Sequence, residues 1–249
     1  MMVMIIIMIS ICGGCLKDDN DDNDDGEENR GTVTIIDVNV DPQDPEPGEN
    51  ITVKATIVNC SLAHIQVGSY FGTGGGPSGY MPEVRDNEYE STIGSFENGT
   101  ELWIMIGATG WNNTLVVSQE IIIHVGEVKR SNITSLSIIN VSFSPQSPTI
   151  VNDSVLVTAN ITSNTTISRR GLEHIRFFPK GSGGGGGSGS GSGPGANESS
   201  FEQEIPFHGA FDSTWDEESI VFFRVWAKDD SGNTAVTNSI TFSLSKEIR

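Results

Sequence analysis

The stretch IIDVNVDPQDPEP, residues 35–47, aligns without gaps to IINVSFSPQSPTI, residues 138–150. Ile35, Ile36, Val38, Pro42, Gln43 and Pro45 of the first are identical to Ile138, Ile139, Val141, Pro145, Gln146 and Pro148 of the second. The match continues in order, with ITVKATI (51–57) against VLVTANI (155–161). Leu62, His64 and Ile65 then recur as Leu172, His174 and Ile175, and LWIMIGATGWNNT (102–114) parallels FFRVWAKDDSGNT (222–234). Matched segments in a fixed order mark an internal duplication. The 249 residues are enough for two domains of about 100 residues each.

Both copies alternate apolar and polar residues with period two, the pattern of half-buried antiparallel strands. Ile36, Val38 and Val40 are expected to point inward, as are Ile139, Val141 and Phe143. Ile51, Val53, Ala55 and Ile57 match Val155, Val157, Ala159 and Ile161. Pro/Asn/Asp/Gly clusters such as DPQDPEPGEN (41–50) and DDSGN (229–233) punctuate the strands. No segment sustains a 3.6-residue period. The expectation is an all-β chain of two tandem immunoglobulin-like antiparallel sandwiches, residues 32–127 and 128–249.

The hairpin beginning Phe223-Arg-Val-Trp-Ala-Lys and turning through Asp-x-x-Gly-Asn resembles the last hairpin of fibronectin type III and related bacterial and archaeal immunoglobulin-like domains. The resemblance implies that Phe223, Val225 and Ala227 face the core. The Cys-Trp-Cys core of antibody domains is missing; Ile65/Val67 and Ile175/Phe177 are expected in its place. After that strand each copy carries a glycine-rich excursion, GTGGGPSG (72–79) and GSGGGGGSGSGSGPG (181–195). The second reads as a flexible loop. Neither is followed by the Lys-Ser/Thr of a phosphate-binding loop.

The N-terminus reads as an address. Residues 1–11 are apolar except for Ser10, too short a run to span a bilayer core. Gly13-Gly14 directly before Cys15 resembles a lipoprotein signal, which implies cleavage after residue 14 and lipidation of Cys15. An uncleaved short hydrophobic anchor is the other reading. Residues 18–29, DDNDDNDDGEEN, hold eight acids and no apolar side chain. Within residues 15–31 this stretch reads as a solvated tether reaching roughly 40 Å at about 3.3–3.6 Å per residue. Aligned to a calcium loop, it places Thr32 where the bidentate Glu belongs.

Ten of the 18 asparagines begin Asn-x-Ser/Thr: Asn50, Asn59, Asn98, Asn112, Asn132, Asn140, Asn152, Asn160, Asn164 and Asn197. Composition alone would give about three, so the excess points to N-glycosylation and hence to export. Together with the lipoprotein-like signal, it favours the extracellular face of an archaeal cell membrane.

The formal charge of −19, from 33 acids and 14 bases, argues against a grip on nucleic acid. No G-x-S-x-G elbow accompanies His64, His124, His174 and His208, and no H-x-H, H-E-x-x-H or late Cys-His-Met copper loop occurs. The chain is therefore expected to be non-catalytic and without a cofactor. Asp229 and Asp230 are weak calcium candidates, because such residues more often bind their own turn. Cys60 reads as a small buried hydrophobe. Trp103 and Trp226 fall out of phase with the core, Trp111 and Trp215 in turns. Trp111, Trp226 and Tyr80 are thus the contact candidates for envelope proteins or glycans. The expected function is a membrane-anchored, glycosylated surface protein presenting its modules for structural or adhesive contacts. The alternative is an extracellular ligand- or carbohydrate-binding accessory subunit of a transporter or surface enzyme.

Overall fold

The computed structural model describes residues 31–70, 79–127, 136–148, 154–178, 187–191, 198–206 and 219–244. The expected signal segment, Cys15, the expected tether up to residue 30, Asn132, Asn152, Asn197 and Trp215 lie outside the described residues. All regular elements among the described residues are strands, and every pairing between them is antiparallel. The fold is all-β.

The first half supplies β1 (Thr34–Asp41), β2 (Ile51–Val58), β3 (Cys60–Tyr70), β4 (Gly79–Tyr80), β5 (Glu83–Arg85), β6 (Glu88–Ile93), β7 (Glu101–Gly110), β8 (Leu115–Val117) and β9 (Ile121–His124). They form two sheets, β1-β2-β6-β5 and β4-β3-β7-β8, with β9 also paired to β7. The second half supplies β10 (Leu136–Ser144), β11 (Ser154–Ser163), β12 (Ile167–Phe177), β13 (Gly187–Gly191), β14 (Glu198–Pro206), β15 (Ser219–Asp229), β16 (Thr234–Val236) and β17 (Ile240–Leu244). Its sheets, β10-β11-β14 and β13-β12-β15-β16 with β17 on β15, repeat the first order. The glycine-rich run expected to be loop is strand over 187–191, where it pairs with Arg170–His174 at the edge of β12. β4 occupies the corresponding edge of β3.

Each half encloses its own apolar cluster. In the first, Ile51, Val53, Ala55 and Ile57 of β2 meet Ile65 and Val67 of β3 and Leu102, Ile104 and Ile106 of β7. In the second, Val155, Val157, Ala159 and Ile161 meet Leu172, Val221, Phe223 and Val225. Each fully buried Val, Ile, Leu or Phe contributes about 1.5–3 kcal/mol relative to its exposed state.

Two expectations from periodicity fail, for different reasons. Ile36 and Ile139, expected inside, are 62% and 49% exposed. A bulge interrupts β1 between Ile35 and Asp37, and another interrupts β10 between Ile139 and Ser142. The extra residue changes the phase of the strand, so Ile35 and Ile138 pack on the cores instead.

The second failure is one of register. Ser61 donates its hydroxyl to the Thr109 carbonyl at 2.9 Å, and Ser168 does the same to Lys228 at 3.1 Å. Gly110 N–H bonds Thr114 O across one turn as Asp229 N–H bonds Asn233 O across the other. These equivalences pair Ile65 with Leu172 and Gln66 with Glu173, and they set Ile106 against Val225. The sequence match of His64 to His174 is therefore displaced by three residues, and that of 102–114 to 222–234 by one. An odd slip exchanges the two faces of a strand. Ile175 and Phe177, expected in the second core, consequently leave it and face outward.

Candidate functional site

The outward faces of the two five-stranded sheets pack on each other. Tyr70, Trp103 and Met105 from β3 and β7 bury against Ile175, Phe177 and Trp226 from β12 and β15. Residues 31–249 accordingly form one compact unit, although each half keeps a separate core.

Glycines on the first half make the close approach possible. A Cβ on Gly68 of β3 would lie 2.8 Å from Cγ of Glu173 and 3.2 Å from Trp103. On β7, a Cβ at Gly107 would collide with the Phe177 ring. Glycine within a central strand is unfavourable unless something approaches it closely; here Glu173 and Phe177 do. The rings around these sockets are ordered: His64 and Phe177 are 5.2 Å apart, Tyr70 stacks on Trp103 at 6.4 Å, and Phe222 meets Phe177 edge-on at 6.0 Å.

Charge enters the seam through a buried arginine and an exposed glutamate, Arg224 and Glu120. Arg224 of β15 reaches the first half, pairing with Glu120 at 2.6 Å while its guanidinium lies 5.0 Å over Trp103. Such a charge-assisted contact is stronger than a neutral hydrogen bond. Glu173 makes no hydrogen bond of normal geometry through either carboxyl oxygen. Burial pushes its carboxyl up to about 8, against a small opposing effect of the Ser69 backbone. Burial also lowers His64 to about 4, so its ring is neutral over the physiological range. His174 is held to about 3, by burial first and then by Arg176, whose Nη2 is 3.2 Å away. His174 lies opposite Phe223, on the core side of β12. The two histidines that seemed repeated therefore occupy opposite sheet faces.

The contact candidates separate clearly. Trp226, expected among the exposed aromatics, is 3% exposed and belongs to the seam, as does Trp103. Tyr80 and Trp111 stay on the surface at 60% and 57%. All seven described sequon asparagines, Asn50, Asn59, Asn98, Asn112, Asn140, Asn160 and Asn164, are exposed. Cys60 opens β3, half-buried and free, with its thiol pushed up by burial.

The Asp229 carboxylate is committed to its turn. Oδ1 accepts the Asn233 amide at 2.9 Å, while Oδ2 accepts Asn233 Nδ2 at 2.9 Å and the Ser163 hydroxyl at 3.2 Å. Asp230 is exposed, and its N–H bonds the Thr166 carbonyl at 2.9 Å. Among the described residues no group of three or more His, Cys, Asp or Glu side chains could hold a metal ion. None of their elements is a helix long and apolar enough to cross a membrane.

The seam residues Gly68, Gly107, Gln66, Glu173 and Arg224 escaped the sequence reading. Their signal was present: two glycines inside central strands, on the same parity as large outward aromatics.

No family model matches the chain, and no curated protein matches it. Among solved structures, a DUF4785 family protein from Legionella pneumophila is 12% identical with a TM-score of 0.29, covering 84% of this chain and 56% of its own. Dimeric latent PorU from Porphyromonas gingivalis is 13% identical with a TM-score of 0.28, covering 87% of this chain and 24% of its own. The chain thus spans little more than half of the first and a quarter of the second.

Proposed function

We propose that this chain is a non-catalytic, N-glycosylated protein of the cell surface, anchored through Cys15 or its short hydrophobic segment. It presents two immunoglobulin-like modules, as one joined body, for structural or adhesive contacts at the envelope. The observation that carries the reading is the exposure of all seven described sequon asparagines in a chain with ten sequons. Glycan addition at each requires solvent access. The repeated sheet order supports two copies of one module, and the seam between them supports presentation of the two together.

The test is mass spectrometry of the protein isolated from its own envelope, with Cys15→Ala expressed beside the wild type. Glycans on several sequons, and release of the variant into the medium, are the expected results. Bare asparagines throughout would overturn the glycoprotein reading. Unchanged membrane association of the variant would transfer anchoring to the hydrophobic segment.

The exposed Tyr80 and Trp111 favour a second reading, a ligand- or carbohydrate-binding accessory subunit. Glycan binding that is lost in Trp111→Ala would select it.

A further inference from the structure

We propose that the seam is a proton-gated closure: with Glu173 protonated, Arg224 ties β15 to Glu120 of the first half, and when Glu173 ionises it takes Arg224 from Glu120 and the halves separate. The proposal rests on competition for one cation. In the β12–β15 ladder Glu173 lies directly opposite Arg224, yet the guanidinium pairs with Glu120 at 2.6 Å and neither Glu173 oxygen has a hydrogen-bond partner. A carboxylate beside an arginine would normally pair with it. A neutral carboxyl offers a much weaker claim, and burial in this socket holds Glu173 neutral up to about 8.

Among the described residues, the groups facing Glu173 offer it no charged partner nearer than Arg224. From β3 come Gly68, at whose Cβ position Glu173 Cγ is 2.8 Å away, together with neutral His64, Gln66, Ser69 and Tyr70. From β7 come Trp103 and Glu101, the latter bonded to His124 at 3.0 Å. Residues 118–120 bring Glu120. Arg224 comes from β15, and Arg169 of β12 lies over Trp226 at 5.7 Å. Glu101, Glu120, Glu173 and Arg224 all act on the buried Tyr70 hydroxyl. Ionising Glu173 therefore adds a third carboxylate to a site with one shared arginine. Gln66, the repeat's counterpart of Glu173, is already buried there with its side-chain oxygen unpartnered. Opening hydrates both side chains and uncovers Tyr70, Trp103 and Trp226.

The sign follows from linkage. The carboxyl titrates near its ordinary 4.5 when open and about 8 when closed. The Glu173 contribution to closure is fully present below 4.5 and weakens about tenfold per pH unit between these values, of order a thousandfold in all. Above 8 it changes no further. The buried His64 acts in the opposite sense between 6.5 and about 4 and is shared by wild type and the Glu173 variants.

Hydrogen exchange of the β3 and β12 amides in the full chain, referenced at each pH to Glu173→Gln, measures this directly. The expected result is a protection ratio that falls steeply from pH 5 to 8, with Glu173→Gln closed throughout. Glu120→Gln should be more open than wild type at pH 5 and should show a shallower fall. Glu173→Met provides a second reference should the glutamine variant fold poorly. A wild-type profile parallel to both references would overturn the gate, as would Glu120→Gln exchanging like wild type at pH 5.

Discussion

The Phe177 ring occupies the space that a side chain on Gly107 would fill, and His64 Nε2 stands 2.7 Å from the same point. The two halves approach this closely because one strand in each has given up a side chain or projected one across. Gly107→Val should therefore force the sheets apart or push Phe177 off its rotamer, at about 1–3 kcal/mol by the usual cost of overpacking. Gly79→Ala, with nothing within 4 Å of the added carbon, should cost under about 0.5 kcal/mol. Urea unfolding of both variants checks the contrast, and equal losses would mean that the seam is looser than its distances.

The bulges give a paired test. Ile35 packs on the first core, whereas Ile36 is exposed and lines an open groove of about 640 Å³ between β1 and residues 116–121. Ile35→Ser should destabilise by about 1–3 kcal/mol through lost burial. Ile36→Ser should stay within about 0.5 kcal/mol. The same ordering is expected for Ile138 and Ile139. Thermal denaturation that ranks Ile36 above Ile35 would place the bulge elsewhere.

These pairs show what periodicity can and cannot reach. β2 and β11 were legible residue by residue, because an uninterrupted central strand with one face on a core must alternate. The phase of β1 was not, since a bulge adds one residue without changing composition. His64 and His174 look like one repeated position because both sit in a Leu-x-His-Ile string. Hydrogen bonds from Ser61 and Ser168, which no residue pattern reveals, set the register three residues away. The seam stayed hidden for a further reason. Strand alternation says which residues face away from a core, but not that a second sheet covers them. Trp226 and Trp111 looked alike as outward tryptophans, yet only Trp111 is on the surface.

That distinction is measurable. Trp103 is wholly buried between the halves, under Arg224 and stacked on Tyr70. Trp103→Ala should cost about 3–5 kcal/mol, the usual range for a buried aromatic truncated to alanine. Trp111→Ala, which removes an exposed ring, should be nearly silent in stability. Chemical denaturation of the two variants separates a seam tryptophan from one on the surface. A large loss at Trp111 would reverse the assignment.

Asp229 offers the test with a defined pH signature. Burial raises its carboxyl, but the two hydrogen bonds from Asn233 and those from Thr165 and Ser163 outweigh it, and the group ends below its ordinary 3.8. The folded state therefore prefers the ionised carboxylate. Its stabilisation is fully present above about 3.8 and is lost as pH falls through the lower folded value. Asp229→Ala leaves the Asn233 amide and side chain without their acceptor, which should cost about 1–3 kcal/mol at neutral pH. The gap between wild type and variant should then narrow on acidification below 3.8 and stay constant from pH 5 to 7. Added calcium should leave both melting temperatures unchanged, since both carboxylate oxygens already accept from the turn. A ligand held at a hundred times its dissociation constant would stabilise by about 2.7 kcal/mol. A calcium-dependent rise in the wild type that is missing from Asp229→Ala would therefore show that the turn opens to admit the ion.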